Sequence, residues 1–172
     1  CSDSCTFTDN FVSVWQIPAD DLTLELPLRE KHTDDTDLNY NFTVDWGDGT
    51  TAEVTSFDDV DKSHTYPAAG EYTVVISGLM EGVAMHFDLG KHIASPNSHK
   101  DKLLRVPNLG HLGYKNFSLA FSGCTNLTEL RGGNTSAVTD MSSMFRDATS
   151  ANPDVSGWDT SQVDDMSWMF MY

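Results

Sequence analysis

The chain has 172 residues, enough for one ordinary domain or two small ones. Its 10 Lys and Arg against 26 Asp and Glu give a formal net charge of −16. With 39 % hydrophobic and 21 % charged residues it falls in the globular range, so it is not a disordered acidic tail. A field this negative repels phosphate backbones and anionic headgroups, which excludes charge-driven binding to nucleic acid or lipid. No apolar run approaches the ~20 residues that span a bilayer, so membrane insertion is not expected.

The chain opens with Cys1 and no Met, and reads as a processed product or a segment of something longer. Cys1 and Cys5 leave three readings open: a tight disulfide, pairing with residues upstream, or a lipid anchor on Cys1 in the manner of a bacterial lipoprotein. The first half alternates with period two. Leu22, Leu24, Leu26 and Leu28 share one face, as do Tyr40, Phe42, Val44 and Trp46, and again Tyr72, Val74 and Ile76. Turn residues at Pro18–Asp21, Gly47–Gly49, Pro67 and Gly70 punctuate these runs. The pattern predicts about seven short strands over 6–80 in an antiparallel sandwich, with a polar loop over 32–39.

The second half is repetitive. Val138, Met141, Met144 and Phe145 recur 25 residues later as Val163, Met166, Met169 and Phe170. A weaker copy lies 24 residues upstream, at Phe117, Ala120 and Phe121. Leu103 and Val106 stand in the same relation to Leu127 and Leu130. Spacing of i, i+3, i+4 at Met141, Met144 and Phe145 predicts a short helix, and Leu127 with Leu130 a short strand. One strand and one helix per ~20–29 residues is the build of a leucine-rich-repeat solenoid. The predicted fold is therefore mainly β with short helices: a sandwich over 1–80, a connector over 81–99, and a right-handed solenoid of about three turns over 100–172, packed end-on.

Asp34, Asp35, Asp37 and Asn39 form an oxygen-rich run that starts like a calcium loop, although Tyr40 stands where Gly is needed. Asp58, Asp59 and Asp61 form a second acidic cluster. Calcium is the only cofactor either would take; a solvated acidic loop is the plainer reading. Asp45 and Asp48 flank a hairpin turn, where Asp bonds backbone N–H groups, and His64 and Tyr66 pack on that hairpin. Cys124 aligns with Ala148 and reads as a buried thiol. Gly-x-Ser-x-Gly and phosphate-loop patterns are absent. Met169-Phe170-Met171-Tyr172, with Trp168 beside them, make an apolar end with no polar cap; further repeats or a second copy would cover it.

Two resemblances sharpen these readings. Asp45-Trp46-Gly47-Asp48-Gly49-Thr50, His64-Thr65-Tyr66 and Gly70-Glu71-Tyr72-Thr73-Val74 resemble a PKD-type domain, which implies an extracellular seven-strand sandwich. Trp158-Asp159-Thr160-Ser161, Val163, Met166, Met169 and Phe170 resemble the BspA-like leucine-rich repeats first noted in mycoplasma surface lipoproteins. The preceding copy departs with Gly133 for Trp158, and the first with Leu112 for Ser161. Together they imply a non-catalytic bacterial adhesion or recognition module, extracellular or at the cell surface, whose partner is a protein or glycan on a host, prey or neighbouring cell. Contacts would come from the loops around 86–116, with His111 and Tyr114, and from Trp158 if it lies on the repeat face; core packing is its plainer role. The alternatives are a carbohydrate-binding accessory module of a larger secreted enzyme, or a structural spacer that self-associates through the open end.

Overall fold

The computed structural model describes residues 9–29, 38–85 and 99–171. The Asp34, Asp35 and Asp37 part of the calcium candidate, Cys1, Cys5, Tyr172 and residues 86–98 lie outside them. The fold is mainly β. Among the described residues the only helical elements are two single 3₁₀ turns, Val60–Lys62 and Lys100–Lys102.

Strands β1 (Phe11–Ile17), β3 (Tyr40–Asp45), β4 (Thr51–Val54), β6 (Gly70–Met80), β7 (Leu103–Asn108) and β8 (Glu129–Leu130) form one six-stranded mixed sheet, ordered β4-β3-β6-β1-β7-β8. A separate pair joins β2 (Thr23–Glu25) to β5 (Ser63–Thr65). The period-two readings hold well in β3, where Tyr40, Phe42 and Val44 are buried and the residues between them exposed. In the Leu22–Leu28 run only Thr23–Glu25 is strand, yet Leu24, Leu26 and Leu28 all enter the core. The described residues of 11–80 hold six strands.

The two halves share the main sheet. β1 pairs antiparallel with β6 along one edge and with β7 along the other. The end-on packing expected of the two halves did not include this shared strand. The join is reinforced from several sides. Gly110, at φ 70°, lets the chain pass against Asn10, where an added Cβ would sit 2.4 Å from a backbone carbon. The buried Lys102 ammonium donates to the Asp21 carboxylate at 2.7 Å and to the carbonyls of Asp21 and Thr23 at 3.1 and 2.6 Å, so all three of its protons have acceptors. Arg29 reaches across to the Ser118 carbonyl at 3.0 Å. Glu81 accepts from the Asn39 backbone and side chain and pairs with Lys115 at 2.6 Å. Residues 81–85, at the start of the connector, are buried, with Gly82 bridged to Asn116 and Val83 to Leu28.

Beyond β7 the chain climbs by parallel rungs. One ladder runs from Val106 to Leu130 to Pro153, and the other from Gly82 through Asn116 and Asp140 to Asp165. The helix expected at Met141–Phe145 is absent; the segment is a run of turns. Leu119, Ser143 and Trp168 occupy equivalent places with φ of 62°, 55° and 57°. A residue in that left-handed region ends any helical run and reverses the direction of its N–H. Alternate amides are then sent out of their own segment. Phe117, Leu119, Phe121 and Gly123 donate to the carbonyls of Asp140, Ser142, Met144 and Arg146, and Met141, Ser143, Phe145 and Asp147 to those of Asp165, Ser167, Met169 and Met171. The amides between close local turns, as in Met144 to Met141 and Arg146 to Ser143. The spacing i, i+3, i+4 still points inward, which is why Met141, Met144 and Phe145 are core despite the missing helix.

Phe121, Phe145 and Phe170 form an aromatic column with centroids 5.7 and 5.5 Å apart and rings within 15° and 8° of parallel. Phe121 is fully buried. Truncation of Phe121 to alanine is expected to cost about 3–5 kcal/mol in urea denaturation, with both halves lost in one transition because they share β1.

Candidate functional site

The surface of the first ladder carries an open polar groove lined by Thr128, Glu129, Arg131, Asn152, Pro153 and Asp154. Each side of the groove is fixed by the rung below it. The Thr128 amide and hydroxyl both donate to the Leu104 carbonyl, at 2.9 and 3.2 Å. Arg131 N–H donates to Val106 at 3.0 Å, and Asp154 N–H to Leu130 at 2.8 Å. Leu127 and Leu130 point inward and are fully buried, so the polar residues between and beside them are turned outward.

One guanidinium and two carboxylates line it. Arg131 Nε pairs with Glu129 at 2.7 Å while its side chain stays largely exposed. Asp154 accepts from the Ser156 hydroxyl at 2.7 Å and its N–H at 3.1 Å. These bonds, chiefly the Ser156 hydroxyl's, hold its carboxyl below the usual carboxylate range, and the Arg131 charge adds to the effect. The groove therefore offers guanidinium donors beside carboxylate acceptors, suited to hydrogen-bonding a polar ligand. Sequence reading passed over it because Thr128, Glu129 and Arg131 look like ordinary solvated residues around a short strand. Their alternation with Leu127 and Leu130 was the available signal.

The residues singled out from sequence are dispersed. Trp158 is half-buried: its indole N–H donates to the Gly132 carbonyl at 3.0 Å and its ring lies 6.4 Å from Phe145 at 18°. It packs the repeats, as its plainer reading had it, and offers no flat open platform. Tyr114 is buried, with its hydroxyl donating to Leu109 at 2.6 Å, so its side chain has no surface to present; that assignment is corrected. His111 is exposed and lies 3.3 Å from the Asp9 carboxylate. Asn39 donates to Glu81. Asp58 and Asp59 are engaged by their own loop, through Ser56, Thr55 and the Asp61 amide. Among the described residues no His, Cys, Asp and Glu side chains group as metal ligands. Cys124 is buried, and burial pushes its thiol far up, the opposite of an activated nucleophile. Trp168, Phe170 and Met171 are exposed at the end of the stack.

The Trp46–Thr50 hairpin is a packing cluster. Asp48 accepts from the Thr50 amide and hydroxyl at 3.0 and 2.6 Å, and its second oxygen meets His64 Nε2 at 2.8 Å. His64 stacks on Trp46 with centroids 5.0 Å apart, and Tyr66 donates to the Trp46 carbonyl. Gly47, at φ 80°, lies so close to the Thr73 carbonyl that a Cβ would sit 2.4 Å from its oxygen.

Residues 115–172 match the family described as Mycoplasma protein of unknown function, DUF285. The match covers the rungs from residue 115 on and leaves β7 and the strands of residues 11–80 outside it. No curated protein and no solved structure matches the chain. No helix among the described residues is long and apolar enough to cross a membrane.

Two aspartates predict the acid response. Burial alone would raise the Asp48 carboxyl, but its bonds from Thr50 and His64 outweigh this and bring it from 3.8 to about 2. The Asp21 carboxyl is lowered too, chiefly by its bond from Lys102. Groups depressed in the folded state contribute stability fully above their unfolded values, and lose it as pH falls through the folded ones. Stability is thus expected to drop as pH is lowered from about 4 towards about 2. Asp48→Asn should flatten part of that slope in thermal melts taken across this range.

Proposed function

We propose that this chain is a non-catalytic recognition module displayed at a bacterial cell surface, and that its repeats bind a polar group on a protein or glycan of another cell. In this reading residues 11–80 form a PKD-like sandwich that caps and holds the base of a leucine-rich stack of the BspA-like kind. Several features support it. The repeats match a family of Mycoplasma proteins over 115–172. The parallel ladders hold their outward side chains in fixed register, which is what a recognition surface requires. The carrying observation is the groove between β8 and Pro153, where Arg131, paired with Glu129, and Asp154 line the same surface on a backbone fixed from below. A backbone already fixed by the rung beneath lowers the ordering cost of binding there.

An accessory carbohydrate-binding role through a stacked tryptophan is disfavoured by the inward packing of Trp158. The spacer reading draws support from the sheet shared between the halves. It differs from the recognition reading in giving the groove no ligand.

The test is a binding screen of the purified chain against intact cells and a glycan array, with Arg131→Glu alongside. Arg131 is exposed, so the variant should melt within about 0.5 kcal/mol of the parent. A bound target should lose about tenfold or more in affinity, the scale of a charge-assisted hydrogen bond. Equal binding by the two chains, or no target in either screen, would remove the groove from the account.

A further inference from the structure

Leu130 is bridged to Pro153 in parallel register. The residues on either side of that bridge therefore stand next to each other, Glu129 by Asn152 and Arg131 by Asp154. Leu130 is buried, so Glu129 and Arg131 turn outward; Asn152 and Asp154 are exposed on either side of a half-buried Pro153 in the same way. These four residues make a two-by-two array on the face of the ladder. Their backbone positions are about 4.8 Å apart between rungs and about 6.6 Å apart along each rung.

The array mixes both charges and both kinds of hydrogen-bonding group. Arg131 only donates, Glu129 and Asp154 only accept, and the Asn152 amide does both. The cations on this face already have anions. Arg131 Nε pairs with Glu129 at 2.7 Å, and Arg105, the register partner of Glu129, pairs with Glu71. Arg131 keeps its other guanidinium N–H groups for a ligand, because its side chain is 65 % exposed. Asp154 spends one oxygen on Ser156 and keeps the second. The backbone amides of Thr128, Arg131 and Asp154 are all donated to the rung beneath. Recognition in this groove falls to side chains alone.

We propose that the ligand of this groove is a neutral glycan, a polyhydroxylated chain without acidic or amino groups; this rests on the recognition reading above and gives it a ligand class. A hydroxyl both donates and accepts, so neighbouring hydroxyls of one sugar meet Arg131 and Asn152 as donors and Glu129 and Asp154 as acceptors, with no charge left facing its like. A phosphate, sulfate or carboxylate only accepts. It would face Glu129 and Asp154 with no unpaired cation, against a chain of formal net charge −16. An ammonium only donates, and adds a second positive charge beside Arg131, whose own charge already acts on Asp154. An extended peptide is held by main-chain bonds and side-chain pockets. Here the main chain is spent, and Pro153 is the one apolar residue lining the groove. With exposed hydrogen bonds and no aromatic platform, one glycan site binds weakly, with a dissociation constant on the order of 1 mM.

The test titrates the isotope-labelled full chain with neutral oligosaccharides (maltohexaose, mannohexaose, xylohexaose and chitohexaose), a heparin hexasaccharide, hexalysine and a blocked Gly-Ser hexapeptide. The amide signals of Thr128, Glu129, Arg131, Asn152 and Asp154 report on the groove. At least one neutral sugar should shift them saturably, with an affinity that changes less than about twofold between about 50 and about 500 mM salt. Asn152→Ala, an exposed change that should melt with the parent, should weaken that sugar about threefold or more. Shifts of these amides by heparin, hexalysine or the peptide alone, or by no probe, would overturn the inference. On the cells of the binding screen, periodate cleaves vicinal diols and should abolish binding, whereas sialidase should leave it. Binding that Arg131→Glu removes but periodate spares would overturn the glycan and keep the recognition reading; binding indifferent to Arg131→Glu would remove both.

Discussion

Every backbone amide buried in this protein must find an acceptor, and β1 is where that requirement joins the two halves. A central strand has two hydrogen-bonding edges. β6 fills one and β7 the other, so the strands of the first half and the rungs of the second belong to one sheet. Strip away β7 and β1 becomes an exposed edge with Phe11, Trp15 and Ile17 near it. Strip away β1 and β7 has no partner on that side. The buried Lys102, Arg29 and Glu81 bonds all span this boundary, and each leaves an unsatisfied polar group if the boundary opens. These groups make the join specific as well as apolar.

The same accounting explains the turns. Holding Leu119, Ser143 and Trp168 in the left-handed region costs roughly 1–2 kcal/mol per residue. In return each rung sends its alternate amides to its neighbour and keeps the remainder in local turns. Each inter-rung bond contributes about 1 kcal/mol net, and stacking buries Met141, Met144 and Phe145 as well. An isolated rung would have the strain without the bonds. Stability therefore accrues only by stacking on a base already formed, and the strands of the first half supply that base through Gly82 and Asn116. A polar groove on such a stack inherits its rigidity, since Thr128, Arg131 and Asp154 are all hydrogen-bonded through the backbone to the rung beneath.

How much of this could be read from sequence follows from what each signal reports. Alternation reports which side chains face inward, and in β3 it gave the strand as well because a strand is the plain way to alternate. The repeat of Met and Phe at 24–25 residues reported core positions at Phe117, Ala120 and Phe121 and at Met141, Met144 and Phe145, while Met166 and Phe170 of the last copy are exposed. It could not distinguish a helix from a run of turns, because both place i, i+3 and i+4 on one face. The deciding feature was positive φ at a leucine, a serine and a tryptophan, residues with no preference for it. Tyr114 looked like a loop residue because burial by a neighbouring rung is non-local. Trp158 was legible in its plainer role, and the polar groove was not, because ordinary polar residues become a site only when a ladder sets them side by side. Shared use of β1 was invisible for the same reason: no local pattern says that a strand's second edge will be filled from 90 residues away.

The central claim is that one hydrogen-bonded network runs from the hairpin strands through β1 into the repeats. Native-state hydrogen exchange measured residue by residue in rising denaturant tests it most directly. The account predicts that amides of β6, β1, β7 and the Phe117, Leu119 and Phe121 rung converge on one common opening free energy. If the rung amides instead exchange through a separate, lower-energy opening while β1 and β6 stay protected, the repeats are an independent unit and the claim is contradicted.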